Sequence, residues 1–126
     1  MRKKIILVIE EEINLANGLK SILEKEGYEV VSVFGSHHLK ELFQNQRPDL
    51  AIIDLYIPKQ LGLNILHKTK ELFPSLPIIA MTVYTNFFTK RELSRLGADD
   101  FIAKPFDVRY LKERIEALIG RKVVTV

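Results

Sequence analysis

Cysteine is absent from the 126 residues, which excludes disulfides and thiolate metal sites. Long hydrophobic runs are absent too. No apolar stretch approaches the roughly 20 residues that span a bilayer. The run over residues 5–9, behind the basic start Met1-Arg2-Lys3-Lys4, is too short for the core of a signal peptide. Nor is charge of one sign in large excess. A net +3 is spread over the amino end, over Lys90, Arg91 and Arg95, and over Arg121 and Lys122. That reads as a solvated surface and not as a nucleic-acid footprint. A cytoplasmic protein without membrane attachment is the simplest expectation. What is present is a globular composition, 47% hydrophobic and 28% charged, at the length of one ordinary domain.

Five short apolar runs alternate with five segments of helical period. The runs cover residues 5–9, 30–34, 50–53, 77–82 and 101–103. They are continuous more than alternating and rich in β-branched residues, as strands are when both faces of a parallel sheet are covered. Between them, Leu15, Leu19, Ile22 and Leu23 recur at helical spacing ahead of Gly27, a helix stop. Leu39, Leu42 and Phe43 form a second stripe before Pro48, and Leu63, Leu66 and Phe73 a third. Leu93 and Leu96 form a fourth, ended by Gly97. Val108, Leu111, Ile115 and Leu118 form a fifth, with Asp107 as N-cap.

A βα unit repeated five times implies right-handed crossovers and helices on both faces of an open sheet. Five units in this length predict a flavodoxin-like, doubly wound (βα)5 fold with strand order 2-1-3-4-5. One domain is expected over residues 1–120. Residues 121–126 read as a tail, either a natural end or the cut start of a linker to an effector domain. No segment is left over for a DNA recognition helix, so direct nucleic-acid binding by this domain is not expected.

In such sheets, ligands sit beyond the carboxyl ends of the strands, where the strand order reverses. The residues at those ends are Glu10-Glu11-Glu12 after strand one, Asp54 at strand three, Thr82 at strand four, and Lys104-Pro105 after strand five. Carboxylates that converge repel unless a cation joins them, and hard oxygen ligands suit Mg²⁺. A hydroxyl and an ammonium suit phosphate oxygens. Together the four types match phosphoryl transfer, in which catalysis is mostly positioning and charge neutralisation. Each has a plainer reading as well: a solvated acidic turn, a loop acid, strand filler, a surface lysine. Their coincidence on one sheet edge favours the shared site.

Over about residues 4–118 the chain resembles the receiver domain of two-component response regulators. The resemblance rests on the strand 5–9 followed by acids, on Leu50 to Asp54 with Ile57, Pro58 and Gly62 behind it, and on Met81-Thr82. Its most specific part is Gly97-Ala98-Asp99-Asp100-Phe101 followed by Lys104-Pro105-Phe106. The resemblance implies that Asp54 is the phosphoacceptor and that Glu10, Glu11, Asp54 and the backbone carbonyl of Tyr56 hold Mg²⁺. Thr82 and Lys104 would contact the phosphoryl oxygens, with Thr82 and Phe101 as the switch pair. It further implies a cis Lys104-Pro105 bond and a histidine kinase or phosphotransfer protein as donor. The output would pass through the face made by the fourth helix, fifth strand and fifth helix. Asp100 and Arg114 on that face resemble residues through which relatives dimerise on phosphorylation. Such a domain is a switch that assists its own phosphoryl transfer and dephosphorylation, not an enzyme acting on other substrates.

Three positions depart from the family pattern, of which Leu61, in place of an Asp common before Gly62, reads as a loop adjustment. Glu11 stands where an Asp usually ligates the metal directly, one methylene longer, so that it either distorts an octahedral site or reaches Lys104 in an internal ion pair that replaces the metal. Val83 stands where a small residue is usual, and with Tyr56 and Tyr84 it would shield an acyl phosphate from water. These departures keep open an alternative, a pseudo-receiver that binds a protein partner without using phosphate. A flavin- or nucleotide-dependent enzyme on this fold is disfavoured, because three glutamates follow strand one where a phosphate-cradling loop would be needed.

Overall fold

A computed structural model of the chain describes residues 2–33, 41, 45, 47–55, 61–82 and 90–120. The five apolar runs are the strands of one parallel sheet: β1 (Ile5–Ile9), β2 (Glu29–Val33), β3 (Leu50–Asp54), β4 (Ile78–Thr82) and β5 (Asp100–Ala103). Their order is β2-β1-β3-β4-β5, as the doubly wound reading expects. The described helices are α1 (Ile13–Lys25), α2 (Leu61–Leu72), α3 (Lys90–Arg95) and α4 (Val108–Ile119). The helical stripe expected from Leu39, Leu42 and Phe43 lies outside the described residues, as does the tail 121–126.

The continuous hydrophobicity of the strands is explained by burial on both faces. Leu7, Ile9, Ile53, Ile78 and Ala80 join Ile65 and Leu66 of α2 and Leu93 of α3 in one core cluster. Ile6, Val8, Ile52 and Ile79 join Leu19 and Leu23 of α1 and Leu111 and Ile115 of α4 in the other. Neighbouring residues of a strand point to opposite faces, so the strand stretches covered on both faces, such as residues 6–9 and 50–53, are apolar at successive positions. Each fully buried Leu or Ile contributes roughly 1.5–3 kcal/mol.

Short polar fastenings hold the loops between these elements. Asp99 accepts from the Ile78 backbone N–H at 2.8 Å and from Lys70 Nζ at 3.1 Å, while Lys70 also donates to the Leu76 carbonyl at 2.9 Å. These bonds tie α2 to the starts of β4 and β5. Gly97, at φ 110°, makes the turn out of α3, and a Cβ there would stand 2.6 Å from Lys70 Cγ. Asp107 caps α4, its carboxylate accepting from the Arg109 N–H at 2.8 Å. Asp107→Ala should therefore cost about 1 kcal/mol. Urea denaturation would show this as a lower midpoint at unchanged slope; an unchanged midpoint would deny the cap any energetic role.

Candidate functional site

Parallel pairing carries the site residues to one edge of the sheet. Ile9 is in register with Ile53, so Glu10 and Asp54 follow at the same level on adjacent strands. Asp54 is in register with Met81, one residue before Thr82, and Thr82 with Ala103, one residue before Lys104. The ladder continues through the site: the Glu10 N–H donates to the Val33 carbonyl at 3.1 Å, Leu55 N–H to Met81 at 2.8 Å, and Lys104 N–H to Thr82 at 2.8 Å. Backbone hydrogen bonds, not flexible loops, therefore set these positions.

The side chains converge accordingly. Glu10, Asp54 and Thr82 are 1%, 2% and 4% exposed. Lys104 Nζ donates to Asp54 Oδ2 at 2.8 Å and to Glu10 Oε2 at 3.3 Å. Glu10 Oε1 accepts from the Glu12 N–H at 3.0 Å, and a further hydrogen bond joins the carboxyl groups of Glu10 and Asp54. Burial, then that bond to Asp54, push the Glu10 carboxyl up to about 7; the Glu12 N–H and Lys104 oppose the rise.

Not every expected member arrives. Glu11 is exposed, and among the described residues no three acidic or histidine side chains gather to hold a metal ion. The ion pair with Lys104 that the longer Glu11 side chain suggested is made by Glu10 instead. Tyr56, Val83 and Tyr84 lie outside the described residues. Phe101 is half-buried on β5 and packs against the core cluster that contains Leu93, and the Lys104-Pro105 bond is cis. Asp100 and Arg114 pair with each other within the chain.

Two supports of the site have a physical reason that the sequence pattern does not give. One is the Glu12 N–H that orients Glu10. The other is the space taken by Gly62. A Cβ there would lie 2.6 Å from Leu55 Cα and 2.7 Å from the Asp54 carbonyl oxygen, so α2 begins directly against the peptide that carries the central Asp.

The donor set fits a divalent cation. Two buried carboxylates on adjacent strands offer hard oxygens, and Mg²⁺ is commonly held by one or two carboxylates with water and phosphate completing the shell. The same edge presents a hydroxyl and an ammonium, the partners a phosphoryl group needs.

This arrangement is that of a doubly wound α/β domain with a polar cluster at the carboxyl edge of its sheet, and comparison with known proteins names the family. Residues 6–116 match the response regulator receiver domain, and the chain belongs to that family. The chain is 30% identical over 124 residues to the alkaline phosphatase synthesis transcriptional regulatory protein PhoP of Bacillus subtilis, covering 98% of this chain and 51% of that protein. It is 30% identical over 116 residues to the virulence transcriptional regulatory protein PhoP of Salmonella typhimurium, covering 92% and 52%. The chain thus spans about half the length of these curated relatives. Among solved structures, the receiver domain of NtrX from Brucella abortus superposes with a TM-score of 0.82 at 28% identity, covering 90% of this chain and 97% of that one.

Two expectations test the site as built. Gly62→Ala should destabilise by about 1–3 kcal/mol through the clash with the Asp54-Leu55 backbone. Gly18→Ala, in α1 with nothing within 4 Å of the added Cβ, should stabilise by roughly 0.5–1 kcal/mol. Equal effects would contradict the close packing. For pH, Glu10 is raised in the folded state above the ordinary value of 4.5 to about 7. The stability it contributes is full below about 4.5 and lost as pH rises through about 7. With EDTA present, wild type should lose up to roughly 3 kcal/mol relative to Glu10→Gln over that window. Parallel pH profiles for the two proteins would refute the assignment.

Proposed function

We propose that this receiver domain works as a phosphoacceptor switch, with Asp54 taking a phosphoryl group from a phosphohistidine on a kinase or phosphotransfer protein. The observation that carries the reading is the meeting of Asp54, Glu10 and Lys104 in one buried cluster, with Thr82 at the end of the neighbouring strand. In the transfer, an Asp54 carboxylate oxygen attacks phosphorus in line. The new O–P bond forms as the P–N bond to the donor imidazole breaks, and the imidazole departs with the electron pair. Mg²⁺, held by Asp54, by the acids that close β1 (Glu10 and Glu11) and by the Tyr56 carbonyl, would neutralise charge on the phosphoryl oxygens.

The rest is work for the chain's own residues. Lys104 would turn from the carboxylates to a phosphoryl oxygen, and the Thr82 hydroxyl would donate to another. Movement of Thr82 opens room on the side of Phe101, whose burial would reshape the face formed by α3, β5 and α4. A switch of this kind biases two packings of the domain that exist before phosphorylation. Pairing of two copies through that face is one outcome we assign to the phosphorylated state, since it would exchange the internal Asp100–Arg114 pair for contacts between copies. The relatives are transcriptional regulators by name, which supports a transcriptional response as the output class and the cytoplasm as the place of work.

Incubation with Mg²⁺ and acetyl phosphate, followed by intact mass measurement, tests the central step. One added phosphoryl mass is expected in wild type and none in Asp54→Asn. EDTA should reduce the yield by at least about tenfold, since the transfer leans on charge neutralisation. Undiminished labelling of Asp54→Asn would remove Asp54 from the role.

A further inference from the structure

The last carbonyls of a helix have no partner within it and draw positive charge. α4 has no basic residue in its last turn. The cation arrives from outside the helix: Lys4 Nζ donates to the carbonyl of Ile119, the residue that ends α4. A Cβ added at Gly120, the cap, would meet the same Nζ at 3.2 Å. Lys4 is itself fastened. Its own carbonyl accepts from the Glu29 N–H at 2.9 Å, where β2 begins. One residue on, the Ile5 N–H donates to Asp49 Oδ2 at 2.8 Å, and the Asp49 N–H returns a bond to the Ile5 carbonyl at 2.7 Å. Arg2 adds two bonds to the same carboxylate, at 2.7 and 2.9 Å. The ammonium therefore reaches α4 from a segment tied to the starts of β2 and β3.

Two ion pairs hold α4 further along. Lys112 meets Glu26, the cap of α1, at 2.7 Å on one flank. Arg114 meets Asp100 of β5 on the other. Part-exposed ion pairs such as these are weak holds. The strands behind the contacts differ as well: β1, which follows Lys4, is paired on both sides by β2 and β3, whereas β5 is an edge strand. We propose that Lys4 is a positioning residue: it fixes the carboxyl end of α4 to the amino edge of the sheet, so that the helix rearranges from its β5 flank while its end stays in place. The anchor stands on this geometry, and the rearrangement rests on the phosphoacceptor reading above. The domain then has one edge that changes, at the acid cluster, and an opposite edge that holds. Gly120, where the helix hands over to the following chain, is a fixed point.

Amide hydrogen exchange, read residue by residue by NMR, tests this on the whole chain in wild type, Lys4→Met and Lys4→Arg. Met keeps most of the apolar stem of Lys and removes the ammonium. Without phosphodonor, the Leu118, Ile119 and Gly120 amides should exchange at least about threefold faster in Lys4→Met than in wild type, while those of Leu111 and Lys112 stay within about twofold. Lys4→Arg, which keeps the charge, should leave all these amides within about twofold of wild type. An unchanged last turn in Lys4→Met would overturn the anchor. So would equal acceleration along the whole helix, which is the mark of lost global stability. Exchange in Lys4→Arg as fast as in Lys4→Met would overturn the role of the cation.

With Mg²⁺ and acetyl phosphate, wild type should change by at least about threefold at the Arg114 and Ile115 amides and by less than about twofold at Ile119 and Gly120. In Lys4→Met the change should spread to the last turn. Phosphorylated wild type whose last turn changes as much as the middle of α4 would overturn the fixed end, and this comparison needs no variant. Wild type that gains a phosphoryl mass while the exchange pattern fails would sink this inference alone. Wild type that gains no phosphoryl mass while Lys4→Met loosens the last turn would sink the phosphoacceptor reading and leave the anchor standing.

Discussion

Two carboxylates held side by side out of water are the constraint around which this domain is arranged. Glu10 and Asp54 are almost fully buried at the ends of adjacent strands. Bringing two such groups together is unfavourable twice over, through lost hydration and through mutual repulsion. Among the groups that offset this are an ammonium and a backbone N–H. Glu10 is driven toward its neutral form, Lys104 sits against both acids, and the Glu12 N–H takes a remaining oxygen. A buried ionic cluster is poor evidence for stability, because well-packed apolar groups do as well or better. The cluster makes physical sense as a place whose charge balance is meant to change.

Such a cluster must be kept from relaxing, and the sheet does that. Every strand that reaches the site is hydrogen-bonded to its neighbour up to or past the site residue. Both faces of the sheet are closed by apolar clusters. The carboxyl edge of the strands carries the buried polar side chains Glu10, Asp54 and Thr82. Gly62 adds a further restraint by letting α2 start in contact with the Asp54 backbone. The acids cannot drift apart without breaking ladder hydrogen bonds or opening a packed contact.

The strands were legible in the sequence because burial on both faces removes the polar alternation that would have hidden them among other patterns. The caps were legible for a similar reason, since Asp107 and Gly97 are residue types that helix ends require. Strand ends were less so. β2 begins at Glu29 and β5 at Asp100, polar residues ahead of the apolar runs, because Glu29 and Asp100 still pair with Ile5 and Ile79. Register decides such ends, and hydropathy does not see register. The same blindness applies to the acids that follow β1. Glu10 and Glu11 are chemically identical neighbours, and successive residues leaving a strand point to opposite sides. Composition cannot tell which of the two enters the cluster. That Glu10 stays in the ladder with Val33 while Glu11 faces solvent is a property of the folded chain alone. Gly62 was visible as a glycine, but its reason, a backbone 2.6 Å from a missing Cβ, is not a local pattern.

The cation of the cluster follows a strand less buried than the two that precede it in the sheet. β3 and β4 are buried throughout, whereas three of the four residues of β5 are only half-buried. β5 is also an edge strand, and its outer neighbours are the six-residue α3 and the cap of α4. Elements with few buried contacts move at low free-energy cost. Lys104 follows β5 directly, bonded through its backbone to Thr82, and Val108 opens α4 four residues later. Lys104 therefore links the cluster through its backbone to an edge strand and to the approach to α4. The buried strands β1 and β3 lead to the acids, and the half-buried β5 leads to the cation. On the flank of β5, Phe101, Asp100 and Arg114 line a shared cleft.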